Sequence, residues 1–351
     1  MRPLARCGAP ALVSTLTTVG AARRAASLKP TLDATAPVKL TGAWAAVWMV
    51  TVGELGSRQA VTQCGLNVLT TKTTATVTVT AWEKMSQSCR MQGNSKMTQT
   101  MMARDQITAH LDRVLDAGRF KDYGPNGLQV EGRPQVRRIV SGVTASQALL
   151  DAAVEADADV VLVHHGYFWK GENPCITGIK QRRLKTLLSH DISLLAYHLP
   201  LDVHPEVGNN VQLARQLDLI VEGPLEADNP RSVGLVGALA EPMSGRDFAR
   251  KVHEVLGREP LLIEGDGLIH RVGWCTGGGQ GYIDQAIAAG VDLYLTGEAS
   301  EQTFHSAREN GVSFIAAGHH ATERYGVKAL GEWLATQHAL NVQFIDLYNP
   351  V

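Results

Sequence analysis

The sequence has few cysteines, no long apolar run and, in its first hundred residues, almost no acidic side chains. No apolar stretch reaches the roughly 18 to 20 residues that a membrane helix needs, so we expect a soluble protein with no membrane partner. The five cysteines show no CxxC spacing, and such scattered thiols fit free cysteines in a reducing cytoplasm. These absences argue against membrane-spanning and disulfide-stapled proteins.

Charge divides the sequence near residue 100. Residues 1–100 hold 11 Lys or Arg against 3 Asp or Glu, whereas the remaining residues hold 22 against 31 and contain all 12 histidines. The acidic body argues against general nucleic-acid binding, which needs a basic face to replace phosphate counterions. The two parts of the chain therefore need separate interpretations.

Residues 1–101 show little periodicity and many threonines, and we predict no fold for them. Three interpretations stay open. We favour a wrongly assigned start, with translation beginning at Met101 or Met102. The segment can instead be a genuine disordered extension, or its Arg-containing, acid-free first 30 residues can be a mitochondrial transit peptide.

From residue 102 onward, short apolar runs alternate with amphipathic stretches. The runs VVLV (160–163) and SFIAAG (313–318) are typical strands, and Ser244 with Asp247 three residues later predicts the start of a helix. A linker-like stretch, EGPLEADNP (222–230), precedes a second series of the same kind. The alternation predicts an α/β fold with largely parallel sheets covered by helices.

Candidate functional residues follow three of the predicted strands. His164 and His165 come directly after VVLV, Asp202 ends the stretch YHLPLD, and His319 follows SFIAAG. Glu323 lies four residues after His319, which places both side chains on one face of a helix. Because ligands of open α/β sheets bind beyond the carboxyl ends of the strands, we expect these five side chains to meet.

Imidazole and carboxylate donors together favour Zn, Mn, Fe or Ni over Ca or Mg. Three histidines, one Asp and one Glu are too many for a single open site with three protein ligands, and they suit two ions that share a carboxylate. One HH pair alone is more often a surface or hydrogen-bonded feature. Two such pairs at strand ends favour a metal site, with His164 and His165 each serving one ion.

Three other features carry weaker signals. The run WCTGGGQG (274–281) is either a phosphate-binding loop or a tight turn between a strand and a helix. Glu298 is a candidate acid or base, whereas His305 fits a helix surface. His198 is open between a structural role and a partnership with Asp202.

At this point the chain resembles the NGG-one-interacting-factor-three-like (NIF-three-like) dinuclear metal proteins, often labelled GTP cyclohydrolase 1 type 2 homologs. The resemblance covers about 102–351, in the short form without an extra inserted domain. Seven motifs carry it in order: YGPNGLQVEG, GVTASQALLDAA, HHGYFWKG, YHLPLDVHPEVGNN, WCTGGGQG, TGEASEQTFHSARE and AAGHHATERYGVKALGEWL.

The resemblance implies two intertwined α/β lobes and a homohexameric ring around the metal sites. We expect a first, metal-binding lobe at 102–222 and 318–351 and a second lobe at 223–317. The family pattern also implies two divalent transition-metal ions (Zn, Fe, Mn or Ni) per chain. The implied metal ligands are His164, His165, Asp202, His319 and Glu323.

The family label implies a metal-dependent hydrolase that opens the guanine imidazole ring of a nucleotide, GTP. In that scheme Glu323 bridges the ions, Glu298 or His198 moves protons as the catalytic residue, and the loop at 277–281 holds the triphosphate. The alternative is a non-enzymatic protein that stores, delivers or regulates metal. Open ligand positions beside a nucleotide-sized space would favour catalysis over metal handling.

Overall fold

The computed structural model describes residues 60–63, 66–69, 101–229 and 231–351. Two short strands, β1 (Ala60–Gln63) and β2 (Leu66–Leu69), pair antiparallel in the first of two compact units. The predictions made for residues 1–101 otherwise lie outside the described residues. The second unit, Asn94–Val351, carries the predicted metal ligands.

Strands and helices alternate through this second unit, as predicted. Its strands are β3 (Met102–Ala103), β4 (Gly127–Val130), β5 (Gln135–Val136), β6 (Arg138–Thr144), β7 (Val160–His165), β8 (Ser193–Ala196), β9 (Ile220–Pro224), β10 (Leu235–Met243), β11 (Leu261–Ile263), β12 (Ile269–Cys275), β13 (Leu293–Thr296), β14 (Ser313–Ala316) and β15 (Asn341–Phe344). Its α-helices are α1 (Arg104–Val114), α2 (Gln147–Glu155), α3 (Gly178–Ser189), α4 (Leu199–Val203), α5 (Asn209–Gln216), α6 (Gly245–Leu256), α7 (Ile283–Ala288), α8 (Glu301–Glu309) and α9 (His319–His338).

The first sheet has the strand order β15-β6-β7-β8-β4. The pairings among β15, β6, β7 and β8 are parallel, and only β4 joins antiparallel, so the predicted parallel character is confirmed here. Strand β7 lies in the middle and is covered on both faces. Val160 and Leu162 pack towards α1 and α9, whereas Val161 and Val163 pack towards α2 and α3. Burial on both faces explains why VVLV is uninterrupted by polar residues.

The second sheet has the order β11-β14-β13-β12-β10-β9. Strands β12, β13 and β14 are parallel, but β11, β10 and β9 are antiparallel to their neighbours. The prediction of largely parallel strands is therefore wrong for this sheet. The described residues between β9 and β10, 225–229 and 231–234, form no helix that could carry the chain across to a parallel strand.

Helix α9 connects the two sheets. It follows β14 of the second sheet, and the chain then returns as β15 to the edge of the first sheet. Near its start Ala321 packs in the core of the second sheet, whereas Val327 and Leu330 pack in the core of the first. The lobe boundaries stay a prediction. The predicted boundary at 222/223 falls inside strand β9 (Ile220–Pro224), which pairs with β10 in the second sheet.

The parallel strands of both sheets end where the predicted ligands lie. In the first sheet β7 ends at His165, and β8 is followed by α4, which contains Asp202. In the second sheet β14 is followed by α9, which begins at His319. Among the described residues, no helix combines the length and apolar character needed to cross a bilayer.

We expect Leu162→Ala to lower the free energy of unfolding by about 2 to 5 kcal/mol, because it opens a cavity in the central strand of the first sheet. Leu162 is fully buried, whereas Leu188 is 60% exposed on α3. The control Leu188→Ala should therefore change the same quantity by less than about 0.5 kcal/mol. Urea denaturation measures both, and equal losses would contradict the assigned core.

Candidate metal centre

The structure brings the five predicted ligands together. The Nε2 atom of His164 lies 3.5 Å from Oδ1 of Asp202 and 3.5 Å from Oε1 of Glu323. The Nε2 atoms of His165 and His319 each lie 3.2 Å from the other oxygen, Oε2 of Glu323. Glu323 is therefore the point at which donors from three chain segments meet.

Each segment has a local reason for its position. His164 and His165 complete β7, and their ring centroids lie 4.5 Å apart although neighbours in a strand ordinarily face opposite sides. Asp202 lies in α4, a one-turn helix with a proline in its first turn. His319 is the first residue of α9 and Glu323 follows one turn later, so the predicted spacing on one helical face is confirmed.

Every imidazole of the centre has its Nδ1 atom engaged away from the centre. The partner of His164 is the carbonyl of Tyr197 at 2.9 Å, and that of His165 is the hydroxyl of Thr144 at 3.2 Å. His319 Nδ1 lies 2.6 Å from Oε1 of Glu298. These contacts fix the rings and leave Nε2 available, which is the usual arrangement for metal-ligating histidines.

The Glu323 carboxylate has an unsatisfied oxygen. Glu323 is only 3% exposed, and its Oε2 forms no hydrogen bond within the described part of the chain, although two imidazole nitrogens lie close by. A buried ionised acceptor is costly unless positive charge lies beside it, and in the metal-free protein only protonated imidazole can supply that charge. A cation between Oε2 and the two imidazoles would remove that cost, so the residues present fit a metal ion.

Asp202 is held by residues that were not predicted from the sequence. The buried Asn209 donates from Nδ2 to Oδ1 of Asp202 at 2.9 Å and accepts from the backbone amide of Gly326 at 2.9 Å. It therefore joins α5 and α9 behind the centre. The available signal was the stretch HPEVGNN, because two adjacent buried asparagines need specific hydrogen-bond partners.

The charges within the centre shift two histidine pKa values upwards. Burial disfavours the charged form of His164, but the carboxylates of Asp202 and Glu323 outweigh it and raise the pKa to about 9. Burial also opposes the charged form of His319, but contacts with Glu323 and Glu298 raise its pKa to about 9. In the metal-free protein these two imidazoles hold protons at neutral pH.

The pKa values of the remaining imidazole, His165, and of the shared carboxylate, Glu323, are lowered. Burial, together with the neighbouring imidazoles His164, His319 and His198, lowers the pKa of His165 to about 3. Burial alone would raise the pKa of Glu323, but the surrounding imidazoles hold it well below its usual range. Glu323 is thus an ionised acceptor facing at least one neutral imidazole.

Glu298 and His198, predicted as catalytic residues, both lie at the centre's edge. Besides its bond to His319, Glu298 accepts from Nε2 of Gln280 at 3.2 Å, and its side chain is 37% exposed. His198 precedes α4, and its Nδ1 lies 2.7 Å from Oδ1 of Asp122. Asp122 was not predicted from the sequence, although it stands next to the motif YGPNGLQVEG.

The glycine loop after β12 has a packing role at the centre. The amides of Gly277 and Gly279 already donate to the hydroxyls of Thr322 at 2.9 Å and Thr296 at 3.0 Å. They are therefore not available to a phosphate. A Cβ on Gly277 would collide with Oε1 of Glu323, so the missing side chain leaves room for the shared carboxylate.

The other histidine features lie apart from the ligands. His320 faces the C-terminal segment, with Nε2 3.1 Å from Oδ1 of Asp346, so only the first histidine of the second HH pair takes part. His305 is on the surface of α8 near Glu301, as predicted.

The donors form three overlapping groups whose ligand atoms lie within 4.8 Å of one another. The groups are His164 with His165 and His198, His165 with His319 and Glu323, and His164 with Asp202 and Glu323.

The family follows from comparison with known proteins. The family model for Duf34/NIF3 (NGG1p interacting factor 3) matches residues 102–350. The chain belongs to the DUF34/NIF3 family. It is 76% identical over 244 residues to a Pseudomonas aeruginosa protein named GTP cyclohydrolase 1 type 2 homolog, and the match covers 70% of this chain and 97% of that protein. The resemblance found in the motifs is confirmed.

Solved structures agree with this DUF34/NIF3 assignment. Protein ybgI, described as of unknown function, is 53% identical with a TM-score of 0.69, over 71% of this chain and 100% of that chain. A second solved structure, TTHA1606 from Thermus thermophilus, is 36% identical with a TM-score of 0.65, also over 71% and 100%.

We expect Gly277→Ala to abolish metal binding, because its Cβ would displace the Glu323 carboxylate and its φ of +67° disfavours a side chain. The control is Gly281→Ala, since a Cβ at Gly281 meets nothing within 4 Å. Elemental analysis of both purified variants is the measurement. Full metal content in Gly277→Ala would show that Glu323 tolerates displacement.

Metal uptake by this DUF34/NIF3 protein should depend steeply on pH. His164 and His319, with pKa values of about 9, must each lose a proton to bind, whereas His165, with a pKa of about 3, has none to lose. Burial also raises the pKa of Asp202. Uptake at pH 7 should therefore release at least about two protons per chain, and the apparent affinity should rise by about a hundredfold or more per pH unit until it levels off above pH 9. Calorimetry in buffers of different ionisation enthalpy measures the release, and an affinity independent of pH between 6.5 and 8.5 would contradict the assigned protonation.

Proposed function

We propose that this protein binds two divalent transition-metal ions per chain and is a metal-dependent hydrolase. The observation that carries the proposal is the division of donors around Glu323. Its Oε1 faces His164 and its Oε2 faces His165 and His319. A carboxylate with donors on both oxygens suits a bridge between two ions.

The donors divide into two sets. One consists of His164, Asp202 and Oε1 of Glu323, and the other of His165, His319 and Oε2 of Glu323. Each set mixes imidazole nitrogen with carboxylate oxygen, which favours Zn, Fe, Mn or Ni over the all-oxygen shells of Ca and Mg. His164 and His165 would then serve different ions.

Metal ions held there would supply Lewis acidity, which polarises an electrophilic carbon and acidifies water. The protein's own residues would hold the ligands in place and move protons. We assign proton transfer to Glu298, because its carboxylate is bonded to His319 and is 37% exposed to solvent. His198 is a less suitable proton carrier, since its side chain is only 19% exposed to solvent.

We propose a nucleotide or a related heterocycle as the substrate, with hydrolysis of a ring C–N bond as in the opening of guanine. The name GTP cyclohydrolase 1 type 2 homolog, carried by the Pseudomonas aeruginosa relative, supports this class. Aromatic side chains at the centre also support it. Trp169 lies 6.1 Å from the ring of His165, and Tyr123, 61% exposed, lies 6.1 Å from the ring of His198. Flat rings beside a reactive centre suit a flat substrate.

Any phosphates of the substrate would need partners other than the amides of Gly277 and Gly279, because these two are already bonded. Ligand exposure favours catalysis over metal storage or delivery. The side chains of His165 and His319 are 18% and 30% exposed, whereas His164 is fully buried. On that side of the centre the donors are in contact with solvent.

The first experiment is elemental analysis of the purified full chain, followed by incubation with GTP, guanosine and other nucleotides. Two transition-metal ions per chain with turnover would support the proposal. Two ions without turnover of any nucleotide would favour metal handling, and a chain without metal after reconstitution would overturn the dinuclear centre.

A variant tests the ligand assignment separately. We expect His165→Ala to lose at least one of the two ions, because it removes one imidazole of the second set. The matched control is His253→Ala, since His253 is an exposed histidine paired with Glu259 on the surface. Retention of two ions in His165→Ala would contradict the assignment.

A further inference from the structure

The ring of His198 lies close to two of the predicted metal ligands, His164 and His165. Its ring centroid is 5.0 Å from that of His164 and 5.7 Å from that of His165. The ligand atoms of these three histidines lie within 4.8 Å of one another. Three imidazoles at this separation form a donor group of their own.

Asp122 fixes the orientation of His198. The Asp122 side chain is 2% exposed, and its Oδ1 lies 2.7 Å from His198 Nδ1. The same carboxylate accepts from the backbone amides of Tyr123 at 2.6 Å and Leu199 at 2.9 Å, and from Nδ2 of Asn126 at 2.9 Å. With its oxygens held in this way, the carboxylate has one orientation.

The backbone of His198 is held by the same loop. Its amide donates to Oδ1 of Asn126 at 2.8 Å. Asp122 therefore fixes the ring of His198, and Asn126 fixes its main chain. An ionised Asp122 accepts a hydrogen bond from Nδ1–H of His198, so the free lone pair of the ring is on Nε2. Trp169 packs edge-on against the ring at 5.0 Å and further limits its rotation.

The pair Asp122–His198 repeats the arrangement of Glu298–His319. In both, a carboxylate oxygen lies 2.6 to 2.7 Å from Nδ1 and the other ring nitrogen is left available. Carboxylate–imidazole pairs of this kind orient metal ligands and raise their basicity. His319 is already in the ligand set, and His198 has the same support.

We propose that His198, oriented by Asp122, is a sixth protein ligand of the metal centre and binds the ion assigned to His164, whose ring lies nearer to it than that of His165. This proposal rests on the dinuclear centre proposed above. It gives the centre four imidazoles and makes Asp122 a positioning residue. It also assigns the loop Asp122–Asn126 to the metal site, although that loop contributes no ligand of its own.

The test is Co²⁺ titration of the metal-free full chain and of His198→Gln, followed by visible absorption and chelator competition. We expect His198→Gln to bind two Co²⁺ ions at saturation, with a changed d–d spectrum and an affinity at least about tenfold lower for one ion. The control His253→Gln should match the unmodified chain in both readouts.

A second variant covers the case in which His198→Gln folds poorly, as judged by circular dichroism of the metal-free protein. Asp122→Asn keeps an acceptor for Nδ1–H but removes the charge, so it should weaken Co²⁺ binding in the same direction, by about tenfold, and alter the same spectral band. Identical spectra and affinities for a folded His198→Gln and the unmodified chain would overturn the sixth ligand while leaving the two-ion centre intact. Failure of the unmodified chain to bind Co²⁺ would overturn the centre itself.

Discussion

The carboxylate of Glu323 is the constraint on which the centre depends. An ionised group buried to this degree needs compensating charge, and the structure surrounds it with the imidazoles of His164, His165 and His319. Its Oε1 has a histidine neighbour in β7, and its Oε2 has one neighbour in β7 and another at the start of α9. A cation is the natural partner for an acceptor in such surroundings.

Helix α9 makes this arrangement possible. It begins at the carboxyl edge of the second sheet and packs against the cores of both sheets. It is followed by β15, which pairs with β6 in the first sheet. The Thr322 hydroxyl accepts from Gly277 and the Gly326 amide donates to Asn209, so residues around Glu323 are tied to the loop after β12 and to helix α5. The position of Glu323 thus follows from packing along the whole helix, and the absent side chain of Gly277 provides the space it occupies.

Much of the fold could be predicted from local pattern. Strand β7 was recognisable from four consecutive apolar residues, and the helical face shared by His319 and Glu323 from their spacing. The antiparallel part of the second sheet was not predictable in this way, because a strand's apolar pattern does not state the direction of its neighbour. The roles of Asp122 and Asn209 were missed because both act through hydrogen bonds to residues far away in sequence, His198 and Gly326. The glycine loop was open between a phosphate-binding loop and a tight turn, and its sequence did not reveal that the amides of Gly277 and Gly279 donate to Thr322 and Thr296.

The sequence by itself determined the chemistry of the donors and the ends of the strands at which they stand, because residue type and periodicity are local properties. It thereby determined the α/β class and the set His164, His165, Asp202, His319 and Glu323. Only the tertiary structure decided which donors face which oxygen of Glu323, that Glu298 and Asp122 orient imidazoles, and that His320 turns away towards Asp346. Those outcomes depend on how two sheets and one long helix pack, and a distance between side chains is fixed only when the elements that carry them are packed together.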